Sequence, residues 1–179
     1  MAGYGAYSKL EGFAFLPITS FTMALTTYTG QNLGAMQYDR AKKGARFGIL
    51  VSITLAELIG VGMYVFAPQL ISIFTPTPEV IALGTQQART IALFYCLLAY
   101  SHAVASVCRG AGKAFVPMTI MLATWCALRI VYITTVMHIV HEIQYIYWAY
   151  PLTWSVSSVI YFIYYHCSDW IHGFEAKEH

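Results

Sequence analysis

The stretch FYCLLAYSHAVASVCRGAGKAFVPM, residues 94–118, decides the class of fold. Its polar centre, RGAGK at 109–113, looks like part of a phosphate-binding loop. A P-loop requires a glycine five positions before its Gly-Lys pair and a Ser or Thr after it. Val107 and Ala114 occupy those two positions here, and long apolar runs flank the motif on both sides. We therefore interpret 109–113 as a polar turn between two membrane spans and not as a nucleotide site.

The composition supports a membrane protein. The 179-residue chain is 58% hydrophobic and only 10% charged, whereas soluble domains carry about 25% charged residues. So few charges cannot cover a surface that faces water. The net charge of +2 gives no reason to expect a nucleic-acid partner. The cysteines lie in apolar runs without metal-binding spacing, so we expect free thiols and no metal site.

Apolar stretches of about 20 residues, the length that crosses a bilayer, recur along the chain. They predict an all-α, polytopic membrane helix bundle with about five transmembrane helices. The segments between spans two and three (68–89) and between spans four and five (138–145) are predicted to be loops. The polar residues 173–179 form a predicted cytoplasmic tail. The predicted spans are approximately 11–35, 46–67, 90–108, 114–137 and 146–166.

The basic residues predict the orientation. Residues 36–46 and 109–113 hold six Lys or Arg in all, whereas 68–89 and 138–145 hold Arg89 alone. The positive-inside rule then places 36–46, 109–113 and the C-terminal tail in the cytoplasm and the N-terminus outside.

Two ionisable residues inside the predicted spans are candidates for binding a proton or another ion. Glu57 lies near the middle of span two, where burial of a charge costs roughly 2.5–3.5 kcal/mol. The alternative is a protonated or hydrogen-bonded structural carboxyl. His102 lies in span three, where a neutral imidazole can relay a proton or simply hydrogen-bond a neighbouring helix.

Four further polar residues are candidates for lining a substrate cavity. Glu11 lies at the outer edge of span one and is either solvated or part of a vestibule. Arg129, in span four, can pair with Glu57 or reach toward the headgroups. Gln31 and Asn32 interrupt the small-residue pair Gly30 and Gly34, a spacing that lets helices approach closely and that Gly44 and Gly48 repeat.

No assembled catalytic site is visible, so we expect no enzymatic activity. The HIVHE sequence at 138–142 lacks the HExxH order of a metalloprotease, and no second cluster completes a metal site.

Several motifs resemble the multidrug and toxic compound extrusion (MATE) family of transporters. A span with a mid-helix proline runs to a GxxxGA ending, then a cytoplasmic loop with an Asp follows. A later span ends in RGxGK ahead of a proline, and a Trp and an Arg lie in the next span. The matching residues are Pro17, Gly30, Gly34, Ala35, Asp39, Arg109, Gly110, Gly112, Pro117, Trp125 and Arg129.

The resemblance implies most of the C-terminal lobe of a two-lobed antiporter, with the N-terminal lobe and one span absent. Such a protein would lie in the inner or plasma membrane and export small organic, often cationic, drugs in exchange for H⁺ or Na⁺, without another cofactor. The chain alone is then not expected to transport. Apolar Leu97 and Leu98 replace an acid that some members carry, which weakens the case for a sodium site.

Two alternatives stay open at this point. A lipid-linked precursor flippase of the same superfamily would need a cavity rich in Arg and Lys, and only Arg129 lies inside a span. A membrane fragment or assembly subunit without transport activity is the other.

Overall fold

The computed structural model describes residues 2–139 and 143–172, and it is a bundle of helices. Within those ranges there is no β-strand, which confirms the all-α prediction. One segment is a π-helix, π1. The elements are α1 Ala2–Gly34, α2 Tyr38–Ser72, α3 Pro78–Ala92, α4 Tyr95–Gly110, α5 Phe115–Met121, π1 Leu122–Leu128, α6 Arg129–Ile139, α7 Ile143–Tyr147 and α8 Ala149–Cys167.

Helices α1, α2 and α4 pack against one another and form the centre of the bundle. Helix α3 packs on α1 and α2, α8 packs on α4, and the continuous rod α5–π1–α6 lies against α8. The core has two layers along the bundle axis. One surrounds Tyr95 and Trp154, and the other surrounds Val104 and Tyr161.

The outer surface is apolar, as lipid contact requires. Phe47 is 67% exposed and Leu58 is also 67% exposed. Within the described ranges, two helical rods are long and apolar enough to cross a membrane, Tyr38–Ser72 and Phe115–Ile139. The pair α3–α4, bent by 55°, makes a third if it is one span. Helices α1 and α8 contain many Tyr, Thr and Ser side chains, and the count of five spans stays a prediction.

The predicted loop at 68–89 is wrong. Helix α2 continues to Ser72, and α3 begins at Pro78, where a proline costs no helical hydrogen bond. The criterion of about 20 consecutive apolar residues missed this helix because it is only 15 residues long and less apolar than its neighbours. The third predicted span, 90–108, therefore straddles the break between α3 and α4.

The RGAGK segment is a helix end. Gly112 has φ 75°, the left-handed conformation that favours glycine. The Lys113 N–H donates to the Cys108 carbonyl at 2.9 Å, and the Gly112 N–H donates to the Arg109 carbonyl at 3.0 Å. This pair of bonds is the Schellman motif that closes a helix C-terminus. The prediction of a polar turn between two helices is confirmed.

Glycines set how closely the central helices approach. A Cβ on Gly110 would lie 2.5 Å from the Thr26 carbonyl oxygen and 2.8 Å from the Thr29 side chain. Gly30 faces Gly110 across the same contact between α1 and α4. Gly44 and Gly48 face Tyr28 and Leu25 of α1, whereas nothing lies within 4 Å of a Cβ on Gly34.

We predict that Gly110→Ala destabilises the bundle by about 1–3 kcal/mol, because backbone cannot withdraw from the added methyl group. Thermal unfolding in detergent measures this. Gly62→Ala is the matched control, since its Cβ would meet nothing within 4 Å. Its stability should stay the same or rise slightly, because alanine favours helices. Equal melting temperatures for the two variants would contradict the close contact.

Candidate functional site

One cavity in the bundle is lined by an acidic side chain, a basic side chain and several aromatic rings. It has a volume of about 280 Å³ and lies between the N-terminal parts of α1 and α8 and the π1–α6 segment. It contains two residues that the sequence singled out, Glu11 and Arg129. The lining residues are Ser8, Glu11, Gly12, Phe15, Trp125, Arg129, Tyr150 and Trp154.

Arg129 is held against α8. Its Nη2 donates a hydrogen bond to Thr153 Oγ1 at 3.0 Å, and its guanidinium carbon lies 4.3 Å from the centre of the Tyr150 ring. This stacking is a cation–π contact. The Nε atom is buried and has no hydrogen-bond partner. The guanidinium therefore has one unpaired donor, and its residue lines the cavity.

Glu11 is half-buried on α1. It accepts a hydrogen bond from the Tyr7 hydroxyl at 3.4 Å, and that hydroxyl lies 3.3 Å from the Tyr95 hydroxyl of α4. Arg129 interacts with the carboxylate electrostatically. In the described ranges, however, no Asp or Glu oxygen lies within 4.0 Å of a Lys or Arg nitrogen. Glu11 and Arg129 thus line the same cavity without forming a salt bridge.

The π-helix brings Trp125 to the cavity. A π-helical turn widens the rod and is frequent at functional sites. Trp125 lies at the centre of π1, and its Nε1–H donates to Ser157 Oγ of α8 at 3.3 Å. Arg129 follows immediately as the first residue of α6. The irregular segment therefore presents the aromatic ring and the cation to the same space.

His102 lies behind the aromatic wall of the cavity. Its ring centre is 5.6 Å from that of Phe15 and 5.3 Å from that of Trp125, both edge to face. Its Nε2 is buried without a hydrogen-bond partner. His102 does not line the cavity, but it contacts two residues that do.

Glu57 lies elsewhere, on α2 facing the start of α4. Its carboxyl interacts with the Cys96 thiol, while Oε2 is buried without a partner. The pairing of Glu57 with Arg129 that the sequence allowed does not occur, because Arg129 bonds Thr153 on α8 instead. Neither candidate proton site, Glu57 or His102, is therefore a lining residue.

Gln31 and Asn32 are far from this cavity. They lie 20 residues beyond Glu11 on the same helix, which corresponds to roughly 30 Å. Gln31 is exposed, and the buried Asn32 donates from Nδ2 to the Tyr28 carbonyl at 2.7 Å. Of the four candidates for a substrate cavity, Glu11 and Arg129 thus line this cavity, whereas Gln31 and Asn32 lie near the C-terminal end of α1.

The motif residues lie at the end of the bundle where α1, α4 and α8 end and α2 and α5 begin. The Ala35 N–H donates to the Gln31 carbonyl at 3.0 Å, and Arg109 donates to Ser106 Oγ at 2.9 Å. Asp39 is exposed in the first turn of α2, where an acid interacts favourably with the helix dipole. These contacts stabilise helix ends. The set comprises Gly34, Ala35, Asp39, Arg109, Gly110 and Gly112.

The loop after α8 closes this end. Lys113 donates to the Asp169 carbonyl, and His172 Nδ1 lies 2.8 Å from Asp169 Oδ2. The hydrogen bonds from His172 hold the pKa of the Asp169 carboxyl below its usual range. The tail beyond His172 lies outside the described residues.

The HIVHE sequence forms no site in the part of the chain that the structure describes. His138 Nδ1 contacts the Thr134 carbonyl at 2.8 Å, while His141 and Glu142 lie outside the described residues. Among the residues that are described, no three His, Cys, Asp or Glu side chains come together as a metal site would require.

Sequence reasoning missed the polar residues that support the cavity, Tyr7, Tyr95, Thr153 and Ser157. One signal was available, since Tyr7 and Glu11 are four residues apart and therefore share a helix face. The other three contacts join different helices, and no local pattern marks them.

Comparison with known proteins gives consistent matches. The MatE family model matches residues 1–135. The probable multidrug resistance protein YoeA of Bacillus subtilis is 22% identical over 92% of this chain and 36% of its own length. The probable multidrug resistance protein NorM of Thermotoga maritima is 28% identical over 70% of this chain and 27% of its own length. The chain thus spans about a third of these relatives.

A solved structure shares the fold. It is described as the inward-facing conformation of a multidrug resistance MATE family transporter of the MOP superfamily. The TM-score is 0.85 at 13% identity, and the match covers 99% of this chain and 41% of that one.

We predict that the cavity admits water. A cysteine at Gly12, where a Cβ meets nothing within 4 Å, should react with a charged methanethiosulfonate reagent. Phe13→Cys is the control, because Phe13 is 65% exposed but does not line the cavity. In lipid a thiol stays protonated and unreactive, since the thiolate is the nucleophile. Gly12→Cys should therefore react at least about tenfold faster, because each unit of raised thiol pKa costs a factor of ten in thiolate. Equal rates in a background without the native cysteines would contradict a water-filled cavity.

Proposed function

The chain belongs to the MatE family of multidrug and toxic compound extrusion transporters, and from this premise we propose that it forms most of one lobe of an exporter of organic cations. Because the family consists of transporters, the resemblance and the expectation that the chain is not an enzyme are confirmed. It is an integral membrane protein. The substrate, the coupling ion and the second lobe are parts of the proposal.

The observation that carries the proposal is the cavity with one carboxylate among aromatic rings. Glu11 supplies the negative charge, and Phe15, Trp125 and Trp154 supply ring surface. Such a site suits a flat organic cation, which gains both charge attraction and cation–π contact. The Arg129 guanidinium already stacks on Tyr150 at 4.3 Å, so the site accommodates a planar cation over a ring.

Arg129 has a second role in this proposal. It interacts electrostatically with Glu11 across the cavity, and a substrate cation would compete with it for the carboxylate. Because Thr153 and Tyr150 hold the guanidinium on α8, Arg129 can interact with Glu11 without blocking access to its carboxyl group. Substrate release would then restore the Glu11–Arg129 interaction.

Export requires access from both sides of the membrane. In transporters built of two lobes, the site lies between the lobes and one lobe moves against the other. We propose that a second lobe completes this cavity in the inner or plasma membrane. The end with Arg40, Lys42, Lys43 and Arg46 would face the cytoplasm, together with the C-terminus.

For coupling we propose a proton and favour His102 over Glu57. His102 contacts Phe15 and Trp125, so a change in its charge acts directly on the cavity wall. Glu57 lies beside Cys96 and contacts no lining residue in the described hydrogen bonds and ring pairs. A flippase for lipid-linked precursors is less favoured, since Arg129 is the only Lys or Arg that lines the cavity.

We predict that Glu11→Gln in the complete exporter raises the KM for a probe cation such as tetraphenylphosphonium by about tenfold or more. The substitution removes the charge but keeps the shape, and loss of one buried charge contact costs 2 kcal/mol or more. Efflux from everted membrane vesicles measures it. Glu79→Gln, at an exposed position on α3, removes the same charge outside the cavity and should leave efflux unchanged. An unaltered KM in Glu11→Gln would show that this cavity is not part of the transport path.

A second prediction concerns coupling. His102→Asn should flatten the dependence of efflux on pH, because an imidazole can gain and lose a proton and a carboxamide cannot. Binding of the probe cation, measured by Trp fluorescence, should persist. Glu57→Gln should leave the pH profile as it is and lower the melting temperature at most. A normal pH profile in His102→Asn with an altered one in Glu57→Gln would reverse the assignment.

A further inference from the structure

A second cavity, distinct from the proposed transport site, is a groove on the outer surface between α1 and α2. Its volume is about 290 Å³, and it is almost entirely apolar. On α1 its residues recur with helical spacing over about 10 Å, so the groove runs along the helix axes. In a membrane this is the direction of a lipid acyl chain. The lining residues are Phe21, Ala24, Leu25, Tyr28, Gly44, Phe47 and Gly48.

Glycine creates the groove floor. Gly44 and Gly48 leave space against Tyr28 and Leu25, where any side chain would overlap them. Phe47, which is 67% exposed, forms one wall. The depression is thus a consequence of the same close packing that joins α1 to α2.

Two cations lie at one end of the groove. Arg40 precedes Gly44 by four residues and Lys43 precedes Phe47 by four, so each shares a helix face with a lining residue. The Tyr28 hydroxyl donates to the Arg40 carbonyl at 3.3 Å, which places Arg40 directly at the groove mouth. Both side chains are exposed, and no carboxylate in the described ranges lies within 4.0 Å of either. Exposed Gln31 lies one turn beyond Tyr28 on α1 and adds a hydrogen-bonding side chain there.

The neighbouring cations point away from the groove. Lys42 and Arg46 lie on the opposite face of α2, and Arg46 hydrogen-bonds Tyr165 of α8. The basic segment is therefore divided into a pair beside the groove and a pair on the bundle side. Orientation of the chain by the positive-inside rule requires charge but no such alignment with an apolar groove.

We propose that this groove binds a phospholipid with an anionic headgroup. One acyl chain lies along Phe21 to Tyr28 and Gly44 to Gly48, and Arg40 and Lys43 hold the phosphate. The charge pattern favours this occupant over a protein helix, because the mouth is doubly cationic while the groove below it is apolar. Lys and Arg side chains next to a membrane helix are attracted to the anionic lipids of the cytoplasmic leaflet.

Photo-crosslinking tests the proposal on the full protein, purified in a nonionic detergent. The probe is phosphatidylglycerol with a diazirine in one acyl chain, and labelled peptides are mapped by mass spectrometry. We expect adducts on the segments 21–28 and 44–48. Arg40→Gln with Lys43→Gln should reduce them by about tenfold or more, since each cation near the headgroups contributes roughly a factor of five. The matched control, Lys42→Gln with Arg46→Gln, should retain most of the labelling.

Three results would overturn the proposal. Equal labelling by a zwitterionic phosphatidylcholine that carries the same diazirine would show that the groove does not select charge. An equal loss in both double variants would indicate a general effect of surface charge. Absence of labelling in the groove, with adducts elsewhere, would mean that another segment of the protein covers it. Failure of the transport proposal would leave all of these readouts unchanged.

Discussion

The close crossing of α1 and α4 at Gly30 and Gly110 is the contact on which the rest of the structure depends. Between helices in lipid the hydrophobic effect contributes little, so association relies on close packing and on hydrogen bonds. Gly110 allows the backbone of α1 to lie where a side chain would otherwise be. With the helices fixed at that point, the other half of α1 runs beside α4, and the Tyr7 hydroxyl reaches Tyr95 at 3.3 Å. Glu11 is positioned by the same alignment.

Hydrogen bonds perform the equivalent task for α8. The Ser101 hydroxyl of α4 lies 3.0 Å from both Ser157 and Ser158 of α8, and Ser158 donates to the Leu97 carbonyl at 2.9 Å. Trp125 donates to Ser157 from the π-helix. These hydrogen bonds hold α4, α8 and π1 together. They thereby fix Thr153, one turn before Ser157, as the partner of Arg129.

The sequence was informative where a property is local. Apolar length predicted the helices, the RGAGK spacing predicted a turn, and Gly44 with Gly48 predicted a helix contact. It failed for α3, a short helix of mixed polarity, and for π1, because nothing in LATWCAL distinguishes a π-helix from an α-helix. Glu11 and Arg129 were each identifiable as unusual charges. Their meeting in one cavity depends on two interhelical contacts, which a single sequence does not encode in any readable pattern.

The polar residues of the bundle differ in how fully they are satisfied, and residues away from the cavity, such as Gln87 and Tyr100, also have buried polar atoms without a hydrogen-bond partner. Ser101, Ser157 and Ser158 have hydrogen-bond partners, as structural polar groups in an apolar interior should. Arg129 Nε and His102 Nε2 do not. A buried donor or acceptor left without a partner costs about 1–3 kcal/mol, and that cost is tolerable where a ligand or proton supplies the missing interaction. Both atoms belong to residues at or directly behind the cavity wall. Glu57 Oε2 is also unpaired, but Glu57 interacts with the Cys96 thiol and is not among the residues that line the cavity. Unpaired polarity alone therefore does not mark a functional residue. Arg129 lines a ligand-sized space and Glu57 does not, and on that ground we propose that the transport chemistry lies on the Glu11–Arg129 side of the bundle.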